Sequence, residues 1–503
     1  MSVKFGKFFT IILVSGLMCF LVTACKSDSD TELADLEDTL MIEDLMGHLQ
    51  SFSDIADTNS GNRAAGTAGY DASAEYLKTV MSDTNLVISE QEVSFRLFEE
   101  LSDPVLETYA AGEDFITMTY SGTGDVTAEI MFVNPQFPPG PDPNSSEDGC
   151  DAADFEGIDA TGKIVVLQRG SCDFQTKARN AQDSGAAAVI IFNEGQVGRT
   201  DYAGGSLGDD SDVTIPVVGL SYAAAEALYN QNQEGTIALN LAVSANDAQA
   251  SAKNLIAETP GGNGDQVIML GAHLDSAAGS PGINNNGTGA AALAELAYQI
   301  SMQDYDFANK VRFAWWAGGE AGMSGSLAYT ENLGQEDAAK IAMYLNADTL
   351  GSKDGVSGVG DGDLSDTADD LDSIAYDPDE MPAGSGEIEA AFASYFESEG
   401  QAAVPDVLDG ETDYYPFILI GVPFGSLSAG PDNCDSSACD NVENIDQEAF
   451  LMNVQAFAHV TEAFAGSETL FAGAGKRSAG KALSGRTVSH DKSHKNRHLR
   501  PVR

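Results

Sequence analysis

The sequence predicts an α/β fold in which a mixed, mostly parallel sheet is flanked by helices and interrupted by an inserted, β-rich unit. Strand-like and helix-like runs alternate along most of the chain. Three apolar runs between residues 267 and 348 each stop at a polar residue, and a stretch between residues 115 and 245 carries a strand and helix alternation of its own. With 503 residues, 43% of them hydrophobic, the chain has room for two or three packed domains.

Taken in order, Lys4 and Lys7 precede an apolar run from Phe8 to Val22, which reads as an export signal over residues 1–24 and is short for a membrane span. The run ends in Val22-Thr23-Ala24-Cys25, a string that resembles a bacterial lipoprotein signal. The resemblance implies a lipid on Cys25 as the mature N terminus, attachment to membrane through that lipid, and, with Lys26 following, sorting to the outer membrane or cell surface. An ordinary cleaved signal, giving a secreted or periplasmic protein, is the alternative.

Leu33 to Ala56 and Ala72 to Met81 carry apolar residues at helical spacing, and strand-like runs fill Leu86 to Val133. Asn134 to Gly149, rich in Pro, Gly and Asp, is a loop. Strands follow at Lys163–Gln168, Ala187–Phe192, Ile215–Leu220 and Thr236–Val243, with helices at Phe174–Asp183 and Ala223–Gln231. Phe450 to Phe464 is a closing helix on the sheet.

Charge narrows the function. Lys+Arg 25 against Asp+Glu 78 gives a net charge of −53, which repels phosphate backbones and anionic bilayers and excludes nucleic acid as a partner. Nine of the 25 basic residues and three of the six histidines lie between Lys476 and Arg503, so residues 475–503 are expected to form a disordered basic tail. Of six cysteines, Cys19 leaves with the signal and Cys25 takes the lipid. Cys150–Cys172 and Cys434–Cys439 account for the rest as disulfides, although four cysteines allow three pairings.

The middle unit resembles a protease-associated domain. The matching words are Gly162-Lys163-Ile164-Val165-Val166-Leu167, Arg169-Gly170-Ser171-Cys172-Asp173-Phe174, Lys177, Asn180-Ala181 and Gly185-Ala186. The resemblance implies a non-catalytic insert over residues 115–245 that sits beside a peptidase site.

The three polar strand ends are His273, Glu320 and Asp348. Ligands gather at the carboxyl ends of parallel strands, and an imidazole with two carboxylates suits zinc, with Asp275 close enough to orient His273. Three solvent-facing strand ends are the competing reading.

Gly271-Ala272-His273-Leu274-Asp275-Ser276, Gly282-Ile283-Asn284 with Asn286-Gly287, Val311-Arg312-Phe313-Ala314-Trp315-Trp316, Asn346 with Asp348, and Asp413-Tyr414-Tyr415-Pro416-Phe417 resemble the secreted di-zinc aminopeptidases of the aminopeptidase Y and bacterial leucyl aminopeptidase type, a family with the zinc exopeptidase fold. The resemblance implies an aminopeptidase-like domain over residues 31–114 and 246–470, acting on peptides or protein N termini. It also implies two zinc ions sharing a water, a bridging Asp, and a Glu general base next to a ligand Glu. His273, Glu320 and Asp348 match the family's ligand positions, and Asp275 stands behind His273.

Three positions depart from that pattern. Asn285 replaces the bridging Asp, Gly319 the general base, and Ser436, two residues after Cys434, the late His ligand. A neutral amide bridges two dications poorly, and glycine takes no proton from water. Outside the tail the remaining histidines, His48 and His459, read as structural. Asp432 and Asp435 are the nearby oxygens available to substitute.

Zinc is therefore expected to be weak, partial or absent, and the chain to be an inactive relative that binds peptides or a partner in its cleft. The alternative is an active extracellular aminopeptidase with a single or rearranged metal. Restoring Asp, Glu and His at positions 285, 319 and 436 is expected to recover some metal and activity. The acidic run from Asp361 to Asp372 lacks the Gly and terminal Glu of a calcium loop and reads as solvated.

Overall fold

Apolar residues two apart along the central strands divide between two cores, and this alternation builds the sheet. In the strand Asn263–His273, Ile268, Leu270 and Ala272 face one hydrophobic core and Val267 and Met269 face another. In Asn309–Trp316, Val311, Phe313 and Trp315 join the first core while Ala314 and Trp316 join the second. A strand buried on both faces needs helices on both, and helices Gly289–Met302 and Gln447–Gly466 cover the first face.

The computed structural model describes residues 33–208, 210–353, 355–367, 381–430 and 432–471. The expected signal, Cys25 and the basic tail lie outside the described residues, as does the acidic stretch from Asp369 to Asp372. From Asp35 onward the described chain forms one compact unit.

Strands are numbered in chain order: β1 Val87–Leu106, β2 Phe115–Thr117, β3 Gly124–Phe132, β4 Ile164–Gln168, β5 Ala188–Phe192, β6 Val217–Leu220, β7 Ala238–Glu258, β8 Asn263–His273, β9 Asn309–Trp316, β10 Ile341–Asp348, β11 Gly358–Gly360, β12 Val404–Asp406 and β13 Phe424–Ser428. They hydrogen-bond in the order β12-β11-β13-β10-β8-β9-β7-β3-β4-β5-β6-β2, with β1 on β7. Pairs β13-β10-β8-β9 are parallel, as are β3-β4-β5-β6, and β7 joins the two runs antiparallel to β9 and to β3.

The mixed, mostly parallel sheet is thus present. One feature differs from the sequence reading: β7 is a single strand that runs through residues 245 and 246, the expected boundary of the insert. Its lower half pairs with β3 and its upper half with β9, so the two units share a strand and its partner β1. The insert has its own cores, with Val165 and Leu167 on one face of β4 and Ile164 and Val166 on the other.

Both disulfides form as Cys150–Cys172 and Cys434–Cys439. His48 and His459 have structural partners: His48 Nε2 lies 3.1 Å from Glu295 Oε2, and His459 Nδ1 lies 2.6 Å from Glu37 Oε2. The acidic run is not simply solvated. Asp361 is buried and accepts from the backbone N–H groups of Ser365, Asp366 and Thr367, so it caps its own turn.

Candidate active site

Strand register brings the first two site residues together. Asn346 on β10 pairs with Gly271 on β8, so Asp348 and His273, each two residues further, end their strands at the same level. His273 Nε2 then lies 3.6 Å from Asp348 Oδ1. The buried Oδ1 has no hydrogen-bond partner, while Oδ2 accepts from Thr412 Oγ1 at 2.8 Å.

The imidazole is held from behind by backbone. His273 Nδ1 meets the Asp275 carbonyl oxygen at 3.0 Å, whereas the Asp275 carboxylate is 3.7 Å away. This differs from the expected role of Asp275 as a carboxylate that orients His273. Its oxygens instead accept from the backbone N–H of Gly319 at 2.9 Å and of Glu320 at 3.1 Å, fastening the loop after β9 to the end of β8. Burial opposes charge on His273, but the Asp275 and Asp348 carboxylates outweigh it and hold the pKa well above the ordinary imidazole value.

That fastening explains Gly319. A Cβ at this position would stand 2.4 Å from both Cβ and Cγ of His273 and 2.8 Å from Nδ1. No side chain fits without displacing the loop or the imidazole. The base position is therefore lost as space as well as chemistry, and restoring Glu there meets an obstacle that the sequence did not show.

Asn285 occupies the centre. Its Nδ2 donates to Glu320 Oε1 at 3.1 Å and to Asp435 Oδ1 at 2.8 Å, and its backbone N–H donates to Asp440 Oδ2 at 3.1 Å. With two carboxylates as neighbours only the nitrogen end of the amide satisfies them, so the amide presents donors to both. Ser436 lies at the exposed rim with φ +55°, its Oγ donating to Asp435 Oδ1 at 3.5 Å, and Asp435 is the residue that reaches Asn285.

Several contributors are not apparent from the sequence patterns. Buried Asp440 ties the disulfide loop to the turn at Asn284 and Asn285, and burial raises its pKa to about 7. Asp413, also raised to about 7 by burial, accepts from Ser326 Oγ. Arg63, buried under the site, donates to the carbonyls of Pro281, Leu274 and Gly282 and lies 4.9 Å over the Phe52 ring. Arg63 thereby braces both the His273 and Asn285 segments.

A family model described as peptidase family M28 matches residues 254–461, and one for the PA domain matches residues 126–228. A Pseudomonas aeruginosa aminopeptidase is 36% identical over 450 residues, which cover 84% of this chain and 80% of that protein. The chain belongs to peptidase family M28. A second M28 relative, named "Probable lipoprotein aminopeptidase LpqL" in Mycobacterium tuberculosis, is 32% identical and covers 84% of this chain and 83% of its own. In solved structures, the fold is similar to an aminopeptidase from Aneurinibacillus sp. strain AM-1, with TM-score 0.68 and 23% identity, covering 86% of this chain and 95% of that one. It is also similar to a zinc aminopeptidase from Bacillus subtilis, with TM-score 0.56 and 21% identity over 84% and 95% of the two chains.

M28 aminopeptidases use zinc, and the residues present fit only part of a two-zinc centre. His273 Nε2 and the unpartnered Asp348 Oδ1 are spaced near the roughly 3.4 Å kept by two ligand atoms on one tetrahedral zinc. They supply two protein donors where a catalytic zinc normally has three. The other half does not fit, because Asn285 turns amide hydrogens toward Glu320 and Asp435. Among the described residues the one trio of ligand atoms close enough for a shared ion is Asp361, Asp363 and Glu389, none of which is among the expected site residues.

Proposed function

We propose that this M28 chain is a lipid-anchored, exported protein that keeps the aminopeptidase fold and cleft but does not hydrolyse peptides, and that it uses the cleft to bind peptides or protein N termini. The observation that carries the reading is the Asn285 amide donating to Glu320 and Asp435, with Gly319 closed against His273. A water between two dications needs a bridging anion and a base, and this arrangement offers a neutral donor and no side chain. The charge of the cleft still favours a cationic group such as a peptide's α-ammonium, since Glu320, Asp348 and Asp435 stand against the single imidazolium of His273.

Export and lipidation rest on the string ending in Cys25 and on the lipoprotein named among the relatives. No helix of the described residues is long and apolar enough to cross a membrane.

A second reading has one observation in its favour. The spacing and free oxygen at His273 and Asp348 suit a single cation, so a one-metal aminopeptidase is the alternative. The test is hydrolysis of aminoacyl p-nitroanilides by the purified mature protein, paired with fluorescence anisotropy of labelled peptides with free and acetylated N termini. Binding of the free form without turnover supports the proposal. Chelator-sensitive turnover overturns it in favour of the one-metal enzyme.

A further inference from the structure

Both disulfides of this chain lie among acidic residues, with Glu147, Asp148, Asp151 and Asp173 beside Cys150–Cys172, and one of them also has a lysine against its sulfur. Cys434–Cys439 is flanked by Asp432, Asp435 and Asp440, and the Cys434 N–H donates to Asp432 Oδ1 at 2.7 Å. Cys150–Cys172 backs onto Lys177, a fully buried lysine whose Nζ lies 3.5 Å from Cys150 Sγ. Its other hydrogen bond to this segment goes to the backbone carbonyl of Asp148; burial lowers the pKa of the ammonium, and the Asp148, Asp154, Glu194 and Asp173 carboxylates oppose that shift. Cys150 and Cys172 are themselves partly exposed, within reach of a small reductant.

We propose that Cys150–Cys172 is a redox-sensitive latch in the PA insert, opened by low-molecular-weight thiols with Cys150 as the leaving thiolate. In the first step a thiolate attacks Cys172 Sγ, the S–S bond breaks, and the electron pair stays on Cys150 Sγ beside the Lys177 ammonium. A second thiol resolves the mixed disulfide on Cys172, so two small thiols become one small disulfide and both cysteines are reduced. A cation at the leaving sulfur lowers its thiol pKa, and lower leaving-group pKa speeds exchange.

Opening has a structural consequence. The disulfide joins the segment from Ser146 to Cys150 to the start of helix Phe174–Asp183. Asn180 Nδ2 holds the carbonyls of Gly149 and Cys150 at 3.0 and 2.9 Å, and Lys177 the carbonyl of Asp148. Without the covalent tie the loop that precedes it is held by these bonds, by the Gln168 N–H on the Asp148 carboxylate at 2.9 Å and by the Ser171 N–H on the Ser146 carbonyl at 2.8 Å.

The experiment treats the folded full chain with reduced glutathione, quenches with acid at intervals, alkylates, and assigns each cysteine by peptide mass spectrometry. The expected result is that Cys150–Cys172 opens about tenfold faster than Cys434–Cys439, with the glutathione adduct on Cys172. Lys177→Met should slow the opening by about tenfold and Lys177→Arg should preserve it. Adducts on Cys150, faster opening of Cys434–Cys439, or a Lys177→Met chain that opens at the unaltered rate overturns the proposal. If Lys177→Met does not fold, the position of the adduct on the unaltered chain decides.

Discussion

Asn285 Nδ2 lies 3.1 Å from Glu320 Oε1 and 2.8 Å from Asp435 Oδ1, so a neutral amide links two carboxylates at the heart of an M28 cleft. In a dinuclear peptidase that place is taken by cations and a bridging anion. Here each carboxylate is satisfied by an N–H of one side chain, with the Asn285 backbone fixed by Asp440.

Asn285→Asp should therefore destabilise the chain. It exchanges two donors for a third carboxylate and forfeits charge-assisted hydrogen bonds worth about 1.5–3 kcal/mol each. Thermal melts in chelator should show a lower Tm, and added zinc should raise the Tm of the variant more than that of the unaltered chain. Equal zinc responses would count against the amide as the feature that keeps a second cation out.

Gly319→Glu should fail as a restoration. The added Cβ would stand 2.4 Å from His273 Cβ and Cγ, and overpacking of this kind costs roughly 1–3 kcal/mol. The expected outcome is a lower Tm with no gain of p-nitroanilide turnover, alone or combined with Asn285→Asp and Ser436→His. Unchanged Tm together with measurable turnover would show that the loop yields readily.

The site was legible in the sequence where it depends on strand ends. His273 and Asp348 close apolar runs on adjacent strands, and their shared register follows from the sheet. For Ser436, a count from Cys434 gives a position relative to the disulfide but no information on backbone direction. With its positive φ the residue is exposed, its Oγ rests on Asp435 Oδ1, and Asp435 is the one that meets Asn285. The closure of Gly319 on His273 was hidden because it depends on where the Asp275 carboxylate pulls a loop 44 residues further along the chain. The run of β7 through the expected domain boundary was likewise unmarked, since a strand crossing between two units has no special composition.

Stability should fall as pH rises from about 5 to 8. Burial raises Asp413 and Asp440 to about 7 from the model-peptide value near 3.9. Between those values the folded chain holds protons that the unfolded chain has released, so stability decreases with pH and this contribution levels off only above about 8. His273 acts in the same direction, because its raised pKa gives stability present below about 6.5 and lost as pH rises through the folded value. Asp413→Asn should flatten the profile of Tm against pH between 5.5 and 8, and an unaltered slope would remove Asp413 from the account.

Salt should stabilise. At a net charge of −53 the folded body repels itself, and ions at about 1 M shorten the Debye length to about 3 Å. Tm is expected to climb between 0.05 and about 1 M sodium chloride, most steeply at the low end. A flat or falling curve would mean that surface repulsion is already offset within the fold.

The most direct test of the central claim is the zinc content of the purified mature protein, measured by plasma mass spectrometry after mild dialysis. The arrangement of Asn285, Glu320 and Asp435, with two donors at His273 and Asp348, predicts less than about 0.2 zinc per chain. Close to two zinc ions per chain would contradict it, requiring the Asn285 amide to turn and a ligand set different from the one described.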